Sequence, residues 1–595
     1  MAVIRAKISL NNADIPLVAS KAQRPVLVPS TDQAPRTPRS YTGTDDSTDY
    51  NLAAVIYAEN VVPVTEGLRS VSYQDKFIPT VHYVRSESYG PDEELPEMSN
   101  KITQMFPLYR ADTSVVWFSP AGGECFYYRD PGPSQTWYSY PLERLYPDFV
   151  SFNKDPAECT VTTAYVDGMM FVCFSGLTVT TNDGSGDVVN DASLYHLSTY
   201  YLTPSLGVLI DNVDHVGGVV AGEIDGISTA NGNLFIYSKM KVMWTDFNGT
   251  VFDFDPDVAS GGQYSTPADL AGNISAITAV SGGALIFSPK NCVGATYNTA
   301  NASNLYTFRE ISGAGGVPSP QAVTQDTALG ACYAYTSAGI QRIALSGSEF
   351  LSPAVSDFLT GRQFDRFNWD TNTLTRMEVP ISMFVKVTAI GTRYIIFSYG
   401  MMPGIYSYAL FYDIVLKRWG KLRIAHRDCV YWSNEQASVD LTYSMLEDVS
   451  YEDMGDMLYS GASIAASDFV PTRMGLMFLT SNTGNLVMAD WSDWTEHSTR
   501  DDRAVVILGR FQLTRASNVQ FNRVEVEKQF NGSAAIQLST TGGAISRTES
   551  LILVTRDSAV TVWGGLADCV NFNIVLKGAL ELSAVILELT TAGKS

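Results

Sequence analysis

The chain has 595 residues, with 40 Lys+Arg against 62 Asp+Glu and a net charge of −22. At 45% apolar and 11% aromatic residues it can build a large core, while no run approaches the ~18 apolar residues of a membrane-spanning helix. Proteins that hold duplex DNA neutralise its phosphates with Lys and Arg. No basic cluster of that kind is present here, so DNA could pass this surface but would not be gripped by it.

Residues 1–48 read as an extended N-terminal arm. The opening MAVIRAKISLNNADIPLVAS lacks the unbroken apolar stretch of a secretory leader. Pro16, Pro25, Pro29, Pro35 and Pro38 forbid a regular helix, and residues 30–47 are mostly Thr, Ser, Asp, Arg and Pro. Such a segment cannot bury enough surface to fold alone. It either orders along a neighbouring subunit or stays a loose terminus. Residues 49–110 form a β lead-in. Within residues 50–77, apolar runs are split at Ala58-Glu59-Asn60 and Thr65-Glu66-Gly67, the pattern of paired strands around turns.

From residue 111 to 500 a repeat takes over. Seven β-type runs end in an aromatic residue or leucine followed by Ser or Thr: VVWFS (Ser119), MMFVCFS (Ser175), LFIYS (Ser238), ALIFS (Ser288), ACYAYT (Thr336), RYIIFS (Ser398) and LMFLT (Thr480). Their spacing of roughly 50 to 80 residues is the period of a propeller or an array. GTRYIIFSYG (391–400) reads as a strand. IYSYALFYDIVLKRWGKL (405–422) gives a strand ending at Asp413, a turn, and a strand holding Trp419. The Asp would accept backbone N–H groups in the turn, and the Trp would cover the gap to the next blade, in a kelch-like way. GNLFIYSKMKVMWTDFNGTVFDF (232–254) repeats the layout, with Trp244 and Asp246 before an Asn248-Gly249 hairpin signal. GNLVMADW (484–491) repeats the Gly-Asn-Leu opening. Residues 181–191 (TNDGSGDVVND) read as a polar loop, and residues 341–366 as the place for a short helix. An acidic insertion at residues 433–461 carries Glu447, Asp448, Glu452, Asp453 and Asp456. Insertions on one face of a propeller are usually its interaction face. Residues 501–595 alternate clearly and read as an antiparallel β-sandwich, or as the region that closes the ring. The fold expected is all-β: a propeller of roughly six to eight blades with loop insertions, a C-terminal antiparallel β domain and the N-terminal arm.

Catalytic signals are weak. None of the histidines His82, His196, His215, His426 and His497 lies near a nucleophile-elbow motif. Asp183, Ser185 and Asp187 alternate as oxygen ligands would, but out of register with a calcium loop; Asp253, Asp255 and Asp257 form a second set broken by Pro256. Each set holds a cation or simply faces water, and the second reading is the stronger. SGAGGVPSP (312–320) is Gly-rich, yet no Lys follows, so a turn or bulge is expected rather than a phosphate cradle. Cys125, Cys159, Cys173, Cys292, Cys332, Cys429 and Cys569 contain no CxxC and read as reduced thiols of a protein assembled in a cytosol. No cofactor, metal or catalytic residue is assigned. A glycan-active propeller needs two facing carboxylates, a pair that sequence can neither find nor exclude among 62 acids.

Several stretches carry a resemblance. YAENVVPVTEGLRSVSY (57–73) resembles the opening of the tail nozzle proteins of short-tailed bacteriophages, also called tail tubular protein B. KNCVGATYNTANASNLYTFREISGAGGVPSPQAV (290–323) looks like a blade of those proteins. ILGRFQLTRASNVQFNRVEVE (507–527) and IVLKGALELSAVILELTTAGKS (574–595) resemble their C-terminal β region. The resemblance covers most of the chain as an order of features and includes no catalytic signature. It implies a virion structural protein, a homohexameric ring at the distal end of the tail. Its implied partners are the tail adaptor ring, tail fibres or a needle or plug protein, genome DNA in transit without sequence-specific binding, and the host outer surface. The acidic cluster Glu447 to Asp456 is then a candidate for the channel lumen or gate. Alternatives are a fibre-attachment or receptor-binding tail propeller, and the glycan-active enzyme.

Overall fold

The computed structural model describes residues 3–10, 26–28, 47–50, 55–77, 81–84, 93–96, 104–109, 115–121, 124–129, 137–166, 169–197, 204–206, 210–211, 222–245, 252–253, 263–298, 305–326, 330–351, 363–368, 373–378, 384–390, 393–402, 404–433, 474–480, 486–490, 504–514, 519–529, 533–542, 545–548, 552–554, 560–561, 566–567, 569–577 and 581–591. Apart from short 3-10 turns, the regular structure in them is β.

The seven runs read from sequence fall at one position of a recurring unit. Val115–Ala121, Met169–Phe174, Asn233–Ser238, Gly283–Phe287, Ala331–Thr336, Tyr394–Gly400 and Met474–Thr480 are each the second strand of an antiparallel four-stranded meander. The terminal hydroxyl has a physical role there. Ser288 Oγ accepts the N–H groups of Lys290 (3.2 Å) and Asn291 (3.1 Å), and Thr336 Oγ1 accepts that of Ala338 (3.2 Å) and donates to Gly339 O (2.7 Å). A short hydroxyl side chain satisfies backbone groups that a tight turn would otherwise strand.

The first strands stand side by side. Val161–Val166 contacts Gly226–Ala230, which contacts Ala276–Val280; Val323–Asp326, Phe384–Ile390 and His426–Ser433 follow in order. Sheets radiate from these inner strands and bury their faces against one another, as in a propeller. Phe235 and Trp244 of one sheet pack with Ile286, Val293 and Tyr306 of the next. Tyr333 and Ile340 pack with Phe397, Leu410 and Trp419, so Trp419 does bridge neighbouring sheets. Asp413 Oδ1 accepts the N–H groups of Val415 (2.8 Å) and Leu416 (2.9 Å), as the strand–turn–strand reading anticipated. Up-and-down order places the second-to-third-strand loops and the links between sheets on one face, here called the linker face. The other loops lie opposite.

Three expectations are corrected. The strand completing the last meander is Ser72–Phe77 of the lead-in, paired with Leu486–Asp490, so the C-terminal region does not close the ring. Residues 181–191 are no loop: Thr178–Asn182 and Asp187–Asp191 form a hairpin that pairs with Phe149–Phe152. Polar edge positions hid its alternation. Of the 341–366 stretch, Gly339–Ala344 and Gly347–Phe350 form a hairpin turned at Gly347 (φ 149°) and Gln363–Asn368 is a strand, while residues 352–362, where a short helix would fit, lie outside the described residues. The described part of the N-terminal arm is extended but not loose: Val3–Ser9 pairs with Glu581–Thr591 of its own chain.

Residues 504–591 form antiparallel sheets that recruit these N-terminal strands. Ala504–Thr514, Cys569–Lys577 and Ser533–Gly542 take in Val26–Val28 and Val55–Glu59. Glu581–Thr591 and Val519–Gln529 belong to a sheet that continues through Gly67–Ser70 and Val61–Val64 into the propeller strand Arg418–Leu422. One hydrogen-bonded sheet therefore runs from the terminal β body into a blade.

Candidate functional site

The junction of blade and terminal body concentrates the buried charge. Val55–Glu59 and Val61–Val64 flank Asn60, whose φ of 59° turns the chain sharply. Asn is one of the few side chains that tolerates this left-handed region. Asn60 Oδ1 accepts the Arg423 N–H (2.8 Å) and the Tyr73 hydroxyl (3.0 Å). Glu59, fully buried, accepts from the Tyr57 hydroxyl (2.5 Å) and from Arg423 Nη1 (3.2 Å). Lys421 Nζ donates to Tyr57 Oη (3.3 Å) and lies over the Tyr57 and Tyr408 rings, 4.8 and 5.0 Å from their centroids. Burial, reinforced by the Glu59 carboxylate, pushes the Tyr57 hydroxyl far above the usual phenol range. Nearby, Arg69 grips Glu581 Oε2 through Nη2 (2.7 Å) and Nε (3.1 Å). Charges taken out of water this way persist only when paired and hydrogen-bonded.

A second polar cluster lies where the chain passes from that blade into the next sheet at His426. His426 is fully buried, with Nδ1 2.7 Å from Ile424 O and Nε2 2.8 Å from Ser398 Oγ. Desolvation lowers its pKa to about 3, so the ring is neutral. Asp428 pairs with Lys386 and accepts the Met105 N–H at 2.8 Å. Met105 precedes the first strand of the first meander, so this carboxylate ties the last sheet to the first. Serine, histidine and aspartate thus lie close together, but the imidazole is oriented by a carbonyl and Ser398 and His426 have no exposure. No substrate can reach the hydroxyl in this arrangement, which makes the cluster a fastener between sheets.

The other sequence candidates separate. Asp183 Oδ1 accepts from Ser185 N (2.9 Å) and Oγ (2.5 Å), while Asp187 Oδ1 accepts from Asn182 Nδ2 (2.7 Å), so these carboxylates cap an exposed hairpin. Among the described residues no group of three or more His, Cys, Asp or Glu could hold a metal ion. His196 packs its ring 6.4 Å from Phe171. Of the Gly-rich 312–320 stretch, Gly315 N donates to Gln341 Oε1 (2.8 Å) within a blade edge. Cys159, Cys173, Cys292, Cys332 and Cys429 are buried free thiols, and burial pushes each thiol pKa up. His215, His497, Asp255, Asp257, the Asn248-Gly249 turn and the cluster Glu447, Asp448, Glu452, Asp453 and Asp456 lie outside the described residues. Sequence reading missed Glu59, Lys421 and Arg423. The one available signal was a Glu-Asn turn between two apolar runs, which looks equally like a solvated turn.

No protein-family model and no curated protein matches the chain. Among solved structures it is similar to a chain of an S. cerevisiae Dbp5 assembly bound to IP6 and ADP (8% identity, TM-score 0.30, covering 73% of this chain and 98% of that one). It is also similar to a hypothetical selenium-binding protein from Sulfolobus tokodaii (7%, 0.31, 62% and 92%). A third is a catalytically inactive virginiamycin B lyase from Staphylococcus aureus, solved with quinupristin (10%, 0.25, 56% and 96%).

Proposed function

We propose that this chain is a structural protein of a virus particle, the tail nozzle of a short-tailed bacteriophage, and not an enzyme. Copies assemble as a closed homo-oligomeric ring, six in number on the family resemblance, below the tail adaptor ring. The ring carries fibres or a plug and conducts and gates genome DNA during ejection. The observation that best supports this reading is the welded junction. A propeller blade and the terminal β body share one sheet, and Glu59, Lys421, Arg423, Arg69 and Glu581 fasten it. A part that must hold pressurised DNA and then open as a unit needs stiff wedges. Closed rings of identical copies are a favoured solution for oligomers.

Electrostatics fit the same role. The net charge of −22 gives passing phosphates no grip. DNA would travel between the assembled wedges, with the blades acting as walls. Electron microscopy of the particle's tail, with this chain located in it, tests the reading. Six copies around a channel at the tail tip are expected. A monomer, a trimer projecting sideways or a basic channel wall would refute it.

A further inference from the structure

The hairpin that interrupts the 161–206 meander has an open edge. Its sheet order is Phe149–Phe152, Thr178–Asn182, Asp187–Asp191, and the last strand has no further strand neighbour among the described residues. Ala192 N donates to Leu177 O at 3.0 Å. By the alternation of an antiparallel ladder, Asn190 and Val188 then bond inward, and the N–H and C=O groups of Asp187, Val189 and Asp191 point outward. The strand is also apolar at its centre: Val188 is 47% exposed and Val189 60%. Successive side chains point to opposite faces, so Val188 and Val189 leave both faces of the strand exposed at its centre. Of the devices that blunt natural edges, this strand has short length and a charge at each end, but no lysine, proline or bulge interrupts its apolar centre.

Its surroundings point the same way. The hairpin sits between second and third strands, hence on the linker face. Val150, Val188, Val189, Met240, Phe350, Phe384, Met402 and Ile405 all fall on this face by strand order, against Tyr165 and Val415 opposite. These are the large exposed apolar side chains among the described residues. They are spread over several sheets of that face, with Val188 and Val189 the one adjacent pair.

We infer that Asp187–Asp191 is a docking edge that captures one extended segment of a different protein by strand addition, a segment with an apolar centre and Lys or Arg at its ends. The charge pattern selects this occupant. Two copies of this edge paired antiparallel about Val189 would set Asp187 against Asp191 at both ends, and directly opposed like charges destabilise a sheet. A basic-ended strand puts an opposite charge at each of those positions, while main-chain bonds supply affinity. The inference stands on the hairpin and does not need the oligomeric ring.

The test uses the full chain and fluorescent peptides: RKVVVKR, whose lysines face Asp187 and Asp191 when it is centred on Val189, its acidic twin EEVVVEE, and RKVVVKR methylated on alternate backbone nitrogens. Fluorescence anisotropy should show salt-sensitive binding of the basic peptide and about tenfold or weaker binding of the other two. Val189→Pro removes an outward N–H and spares the inner ladder, and should abolish binding. Val189→Lys, at an exposed position, should weaken it strongly without touching the fold. Equal binding of the acidic peptide, no binding of the basic one, or undiminished binding to both variants would overturn the inference. So would a dimer in sedimentation that Val189→Pro dissolves, since the occupant would then be a second copy.

Discussion

The packing between the 226–265 and 276–315 sheets differs in kind from the packing where residues 384–433 meet the termini. In the first, Phe235, Trp244 and Tyr306 meet edge to face or stacked, with centroids 5.1 to 6.1 Å apart, inside an apolar cluster. The Tyr306 hydroxyl is satisfied locally by Asn233 Oδ1 at 2.6 Å. In the second, a carboxylate, an ammonium and a guanidinium share a buried site with two tyrosines. Apolar packing is tolerant of exchange and carries stability. Buried ion pairs add little net stability but penalise any other alignment, because each misplaced partner leaves a bare charge. The blade-to-blade contact thus holds the propeller up, and the junction sets how the terminal body is aligned on it.

Perturbations should separate the two. Trp244→Ala removes a fully buried indole and should cost about 3–5 kcal/mol, lowering the denaturant midpoint of the whole propeller. Glu59→Ala leaves Arg423 and Lys421 facing each other without their carboxylate, and should cost about 3 kcal/mol. The companion change Arg423→Met should recover part of that loss in a double-mutant cycle, whereas no apolar companion should rescue Trp244→Ala.

Acid probes the polar side alone. The His426 pKa is depressed to about 3 in the folded chain against an ordinary value near 6.5. The unfolded chain therefore binds the extra proton first as pH falls. The stability linked to keeping this ring neutral is fully present above about pH 6.5 and drains away toward pH 3, by about 2 kcal/mol at pH 5. His426→Gln should flatten that slope in urea titrations at pH 7 and pH 5.

Smaller effects test single contacts. At Gly67 a Cβ would stand 2.1 Å from Leu582 O, so Gly67→Ala should push the C-terminal strand off the hairpin at a cost of about 1–3 kcal/mol. Thr336→Ala deletes one turn cap and should cost about 1 kcal/mol, with no change at the junction; thermal melts resolve both.

The apolar region was legible in the sequence, and the polar one was not. Runs such as ALIFS and ACYAYT announce a strand by alternating bulk and a turn by the hydroxyl, and both signals are local. Asp413 could be read for the same reason, since its partners lie two and three residues away. Glu59 and Arg423 are far apart in sequence, and each alone resembles a solvated charge. The pairing of Val3–Ser9 with Glu581–Thr591 was equally hidden, because strand partners chosen across the whole chain leave no spacing to read. In the 178–191 hairpin, Asp, Asn, Ser and Gly masked a strand whose only apolar pair faces solvent.

Hydrogen exchange on native full-length protein tests most directly whether blade and terminal body form one unit. Peptides covering residues 395–411 report the blade, and those covering 581–591 report the body. The account predicts that both open together in the native chain and that Glu59→Ala raises exchange in both. Loss of protection confined to 581–591, with 395–411 unchanged, would mean two bodies that merely touch, and would contradict it.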